Sequence, residues 1–186
     1  MNYDSLFLTI CLLWAVSEVL LVIFTRSTSN SKDYDHGWMK WLNIIIYLSI
    51  GLAVTIAYTG IGRIHLTILS WVGLSVIVMG LILRWTAILT LRKFFTVNVV
   101  IQTDHKIIRK GVYRFIRHPS YTGSIISFIG LGIDLCNWVS ALVMIVPIIF
   151  AFLKRIQFEE KALQSAFGEE YLNYCKESWC LFPFIY

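Results

Sequence analysis

Four side chains in two places have the types and spacing to form a ligand site. The first place is RFIRHPSYTG, residues 114–123, which sets His118 and Tyr121 around Pro119 and Ser120. The second is Arg155 and Glu159, four residues apart, which share a face if they lie on one helix. A guanidinium binds carboxylates, and a carboxylate accepts from amino or hydroxyl groups. Left to each other on an exposed helix, Arg155 and Glu159 would gain only roughly a few tenths of a kcal/mol. Arg before Glu is also the weaker order, which favours a separate ligand for each. The first stretch has a purely architectural reading as well. Pro119 suits the first turn of a helix, and His118 or Ser120 can cap it. Tyr121 suits an interfacial aromatic belt, Gly123 admits a close neighbouring helix, and Arg114 and Arg117 can meet lipid headgroups. Taken alone, the stretch leaves both readings open.

The elements that must position these residues are membrane helices. Of the 186 residues 58% are hydrophobic, against about half in a soluble domain, and mean hydropathy is +0.71. The apolar residues fall in blocks: Leu6–Phe24, Trp41–Gly60, Leu66–Trp85, Tyr121–Leu135 and Trp138–Leu153. A bilayer core needs about 20 apolar residues per helix. Three blocks reach that length, and the last two do so by extending beyond their apolar runs. The pattern predicts an all-α integral membrane protein with five transmembrane helices. Spans four and five form a hairpin through Asp134–Asn137. A hairpin returns the chain to the surface it left, so His118, Tyr121, Arg155 and Glu159 can converge.

The basic residues follow the same topology. Fifteen of the 16 Lys and Arg fall on one side of the five spans, and only Arg63 falls on the other. The positive-inside rule puts the N-terminus outside and the long loop and tail in the cytoplasm. The net charge of +5 is thus a topology signal, and a nucleic-acid partner is not expected. The first block reads as a retained span, because MNYD lacks Lys and Arg and no small-residue cleavage site follows. The four cysteines form neither a CxxC nor a zinc spacing, so no metal is expected.

The pattern breaks in two segments. In residues 92–120, TVNVVIQTDHKIIRKGVY is strand-like with TDHK as a turn, or else an irregular segment on the membrane surface. Residues 154–171 continue the last span without a breaker until Gly168, a natural helix terminator. A helix from Trp138 to Phe167 would be about 45 Å long, about 15 Å more than the bilayer core. Pro147 can kink it. Glu18, a carboxylate inside span one, is either functional or paired with an Arg or water near the cytoplasmic end.

GVYRFIRHPSYTG (Gly111–Gly123), FEEKALQSAFGEEYLNYC (Phe158–Cys175) and the tail LFPFI together resemble the isoprenylcysteine carboxyl methyltransferase family, in the form of a short prokaryotic-type member. The resemblance runs from Asn98 to the C-terminus. It implies an integral membrane enzyme that uses S-adenosylmethionine and releases S-adenosylhomocysteine. The substrate it implies is a lipid-linked carboxylate, such as a C-terminal prenylcysteine, entering from the bilayer. Gln102, His105, Lys106, Ile107, Ile108, Tyr113, His118, Pro119, Ser120, Tyr121 and Glu159 match cofactor-contacting positions. Arg155 matches a substrate-side arginine, making Arg155 and Glu159 the catalytic pair. Glu159 is preferred to Glu160 for its spacing from Arg155 and from Phe167-Gly168. The implied organisation is one membrane domain, 1–186. Residues 1–91 hold three N-terminal spans, and 92–186 hold a cytosolic cofactor loop, the hairpin and a C-terminal helical extension. The membrane is the cell membrane in a prokaryote and the endoplasmic reticulum in a eukaryote.

The chemistry suits these residue types. Methyl transfer from a sulfonium is an in-line displacement, and an ionised carboxylate needs no general base. Two other readings compete. Membrane sterol reductases share a similar His-Pro-x-Tyr-x-Gly run and use a nicotinamide cofactor, but have additional spans. A non-catalytic scaffold holding anionic lipid accounts for the charge but not for the paired motifs.

Overall fold

The computed structural model describes residues 2–25, 37–95 and 106–183. Among them the regular structure is helical: α1 (Tyr3–Thr25), α2 (Trp38–Thr59), α3 (Ile68–Leu91), α4 (Pro119–Asp134), α5 (Trp138–Phe167) and α6 (Glu169–Glu177). Short 3-10 turns occupy Arg92–Phe94 and Gly111–Arg114. By length and composition α1, α2, α3 and α5 can cross a membrane. The fourth expected span is shorter: α4 has 16 residues, about 24 Å of helix against a bilayer core of about 30 Å. Leu12, Leu13, Leu48 and Met79 are each more than half exposed, a surface that suits lipid and is costly in water.

Glycines determine the closest helix packing. Gly73 and Gly80 on α3 face Gly130 and Gly123 on α4, each pair seven residues apart. A Cβ on Gly80 would lie 2.6 Å from the Gly123 carbonyl oxygen, and one on Gly130 would lie 2.6 Å from the Ile77 nitrogen. Only small residues let two backbones approach this far. The contact also lays Arg84 beside the first turn of α4, where a Cβ on Gly123 would meet the Arg84 nitrogen at 2.6 Å.

The link from α4 to α5 is short because Asn137 starts α5 at once. Its Oδ1 accepts from the Ser140 N–H at 3.0 Å, while its Nδ2 donates to the Ile61 carbonyl at 2.7 Å. That cap also ties α5 to the turn after α2. Leu42 and Ala53 of α2 share a core with Ile148, Ala151 and Phe152 of α5. α5 runs unbroken through Pro147 to Phe167. It stops at Gly168, whose φ of +54° suits glycine and whose N–H reaches the Gln164 carbonyl at 2.9 Å. α6 follows directly, with Glu169 and Glu170 in its first turn and Lys176 in its last, both favourable to the helix dipole.

α1 lies at the edge and is held along one stripe. The Tyr3 hydroxyl donates to the Ser70 carbonyl at 3.1 Å and to the Asp134 carboxylate. Trp14 packs on Phe128 with ring centroids 5.1 Å apart. Glu18 meets Arg84. Of the stretch read as strand-like or irregular, residues 96–105 lie outside the described residues. Residues 106–109 have no regular structure, and Gly111–Arg114 is a 3-10 turn.

Candidate functional site

Pro119 opens α4, with His118 at the N-cap position. The His118 side chain makes no cap hydrogen bond, which removes that part of the architectural reading. The first turn is held through the His118 carbonyl instead, which accepts from the Thr122 N–H at 3.0 Å and from Thr122 Oγ1 at 3.1 Å. The imidazole turns toward α5, which presents Glu159 and Glu160 at the same level.

There the Tyr121 hydroxyl donates to Glu159 Oε2 at 2.7 Å. The buried Arg155 guanidinium also reaches the Tyr121 phenol. The His118 ring stacks near Tyr121, centroids 5.8 Å apart and planes 22° apart, with Nδ1 at 4.0 Å from Glu159 Oε2. Phe152 closes the far side of Tyr121 at 5.5 Å. Tyr113 is buried in the 3-10 turn. Burial first, and then the nearby Glu159 carboxylate, raise its phenol well above the usual range. The structure thus groups Tyr113, His118, Pro119, Tyr121, Arg155 and Glu159 at one end of the bundle.

Ser120 belongs to an adjoining network. Its Oγ accepts from Arg84 Nη1 at 3.1 Å, and Ser124 Oγ accepts from the same nitrogen at 2.7 Å. Arg84 Nε and Nη2 grip the Glu18 carboxylate at 2.7 and 2.6 Å. Glu18 is therefore paired with an Arg, and that Arg lies on α3. Lys106 is exposed, Ile107 and Ile108 are half-buried, and none of the hydrogen bonds just described involves them. Gln102 and His105 lie outside the described residues.

Arg117 corrects the headgroup reading. Its side chain is only 12% exposed. Nε donates to Glu160 Oε1 at 3.0 Å, and Nη1 donates to the Cys175 carbonyl at 3.1 Å and to the Ser178 carbonyl. Burial opposes its charge, but the hydrogen bond and negative charge of Glu160 outweigh that and raise its pKa. The chain after α6 lies alongside the residues before α4. The Arg117 N–H bonds the Trp179 carbonyl at 2.8 Å, the His118 N–H bonds the Cys180 carbonyl at 3.1 Å, and the Trp179 N–H bonds the Phe115 carbonyl at 2.9 Å. Thr122 Oγ1 adds a bond to the Leu181 carbonyl at 2.9 Å.

Sequence reasoning missed Arg84, Glu160 and this tail contact. For Arg84 a signal existed: Arg84 and Glu18 are opposite charges, each inside an apolar block, and such residues usually pair. For the tail, no local pattern marks the partner. His118, Glu160 and Cys180 have ligand-type atoms within 4.8 Å of one another. The Arg117 guanidinium, 3.0 Å from the same Glu160 oxygen, already supplies the cation there.

Residues 71–165 match the model of the isoprenylcysteine carboxyl methyltransferase (ICMT) family. Protein-S-isoprenylcysteine O-methyltransferase A of Arabidopsis thaliana is 33% identical over 174 residues, 91% of this chain and 87% of that protein. The chain belongs to the isoprenylcysteine carboxyl methyltransferase family. The B protein of Arabidopsis thaliana is 39% identical over 115 residues, 61% of this chain and 58% of that one. The Homo sapiens protein-S-isoprenylcysteine O-methyltransferase is 37% identical over 125 residues, 65% of this chain. The match spans only 43% of the human protein's length. A solved structure of the eukaryotic intramembrane Ras methyltransferase superposes with a TM-score of 0.69 at 27% identity, covering 98% of this chain and 67% of that one. The family region includes Arg84, the His118–Tyr121 stretch, Arg155 and both glutamates, and it favours the methyltransferase reading over the reductase and scaffold readings.

Proposed function

We propose that this chain is an integral membrane carboxyl O-methyltransferase that uses S-adenosylmethionine and acts on a lipid-linked carboxylate such as a C-terminal prenylcysteine. The observation that carries the reading is the meeting of His118, Tyr121, Arg155 and Glu159 at one end of a bundle whose sequence is of this family. Their donor set fits the cofactor. Glu159, oriented by the Tyr121 hydroxyl, offers a carboxylate for an amino or hydroxyl group. His118 and Tyr121 offer flat rings and polar edges, and Tyr113 adds a buried phenol. The bound cofactor supplies an electrophilic methyl on a sulfonium centre.

Arg155 binds the acceptor carboxylate. At 1% exposure, its guanidinium receives that carboxylate only as the side chains around it give way. In this sheltered place, charge–charge attraction is stronger than in water. The residues supply proximity and alignment rather than a base. α4 serves as the fifth membrane helix and forms the hairpin with α5; at 16 residues it falls about 6 Å short of the hydrocarbon core's thickness. The basic residues place the N-terminus outside and the loop and tail in the cytosol, so the cofactor arrives from the cytosol and the lipid tail from the side. Residues 1–91 act as the membrane scaffold and 92–186 as the catalytic part.

Calorimetry on the detergent-solubilised protein tests this. S-adenosylhomocysteine should bind and NADPH should not, and Glu159→Ala should weaken the former. Binding of NADPH alone would overturn the reading.

A further inference from the structure

Glu160 sits behind the site rather than in it, and four groups converge on one of its oxygens. Its Oε1 accepts from Arg117 Nε at 3.0 Å and from the Tyr171 hydroxyl at 3.4 Å, lies 3.2 Å from His118 Nε2, and is approached by the Cys180 thiol at 3.8 Å. One carboxylate oxygen therefore joins α5, the stretch before α4, α6 and the tail.

The consequence for His118 follows from donor and acceptor chemistry. An ionised carboxylate only accepts. In the neutral ring, Nε2 must then carry the hydrogen, and Nδ1 is left as an acceptor. Nδ1 faces Glu159 Oε2, a second acceptor, at 4.0 Å. With the ring neutral, two acceptors at that separation, with no hydrogen of their own to share, suit a donor from a ligand, such as a hydroxyl or an amino group.

We propose that Glu160 is a positioning residue. It fixes the His118 tautomer and, with Arg117, fastens the tail along residues 115–118, so that His118 Nδ1 and Glu159 together accept from one ligand donor. The proposal rests on the cofactor reading only for the identity of that ligand. The tautomer itself can be read in the ligand-free protein.

The test therefore has two readouts on the whole 186-residue chain. The first is 15N NMR of imidazole-labelled, ligand-free protein. His118 should show the Nε2–H form in the wild type and in Glu160→Gln, which keeps an acceptor, and a mixture of forms in Glu160→Ala. The second is affinity for S-adenosylhomocysteine beside KM for a prenylcysteine. Glu160→Ala should weaken the former about tenfold and leave the latter within about twofold, while Glu160→Gln should stay within about threefold of wild type in both. If Glu160→Ala does not fold, Glu160→Asp withdraws the carboxylate by one methylene and should show the same separation. A doubly protonated His118 in the wild type, a tautomer unchanged in Glu160→Ala, or equal losses in affinity and KM would overturn the proposal. A wild-type protein that shows the Nε2–H form yet binds no S-adenosylhomocysteine would sink the cofactor reading and leave Glu160's hold on His118 standing.

Discussion

Replacing Arg84 with Met keeps most of the side-chain length and removes the charge. In the wild type, Arg84 makes two charge-assisted bonds to Glu18 at 2.7 and 2.6 Å, each in the class worth about 1.5–3 kcal/mol. The Arg84 side chain is 12% exposed but that of Glu18 is 38% exposed, so solvent screening reduces the sum. The variant also leaves the Glu18 carboxylate unpaired within a membrane helix. A net loss of about 2–4 kcal/mol is expected. At about 2–4 °C per kcal/mol for a chain of this size, thermal unfolding in detergent should shift down by about 4–16 °C. The double variant with Glu18→Gln should recover part of this, with a coupling of about 1–3 kcal/mol. Because Arg84 Nη1 also holds Ser120 and Ser124, cofactor affinity should fall severalfold. A single variant within about 1 °C of wild type, or strict additivity in the cycle, would refute the view that this pair fastens α1 to the site.

Two further outcomes are expected. Gly123→Ala should destabilise the fold by about 1–3 kcal/mol in chemical or thermal unfolding, because its Cβ would fall 2.6 Å from backbone atoms of Gly80 and Arg84; Gly37→Ala, with open space around it but positive φ, should cost only backbone strain. Burial first, and then the Glu160 carboxylate, push the Cys180 thiol up to about 12. It stays protonated at neutral pH, so alkylation at Cys180 should be slow there and rise only in strong base. The sign for stability follows: the contribution is full below the ordinary thiol value of about 9 and is lost as pH rises from there to about 12.

Much of the fold was legible because membrane helices announce themselves by length. Tyr3–Thr25, Trp38–Thr59, Ile68–Leu91 and Trp138–Phe167 each contain one of the apolar blocks or nearly all of it. Gly168 could be read as a stop because the run before it has no breaker. The limits were those of local pattern. α4 is rich in Gly and Ser, as its place against α3 requires, and this shortens its apolar signal. The seven-residue spacing of Gly73/Gly80 and of Gly123/Gly130 was visible, but their facing one another was not. Arg155 and Glu159 were linked by helical spacing, and Tyr121 was linked to them by the expected return of the chain. Arg117 resembled a headgroup contact because its partners, Glu160 and the Cys175 and Ser178 carbonyls, are more than 40 residues away. Glu159 and Glu160 are neighbours that face different partners, Tyr121 for one and Arg117 with His118 for the other. Spacing can rank two such residues but cannot show that both are used.

The proposed activity is transfer of a methyl group to a lipid-linked carboxylate. Its most direct test incubates the purified protein in lipid with methyl-labelled S-adenosylmethionine and N-acetyl-S-farnesylcysteine, then measures label released by mild base as a methyl ester does. Base-labile label is expected with the wild type, and little with Arg155→Ala even though that variant still binds S-adenosylhomocysteine. A wild-type protein that binds S-adenosylhomocysteine yet forms no base-labile ester, or an Arg155→Ala variant as active as wild type, would contradict it.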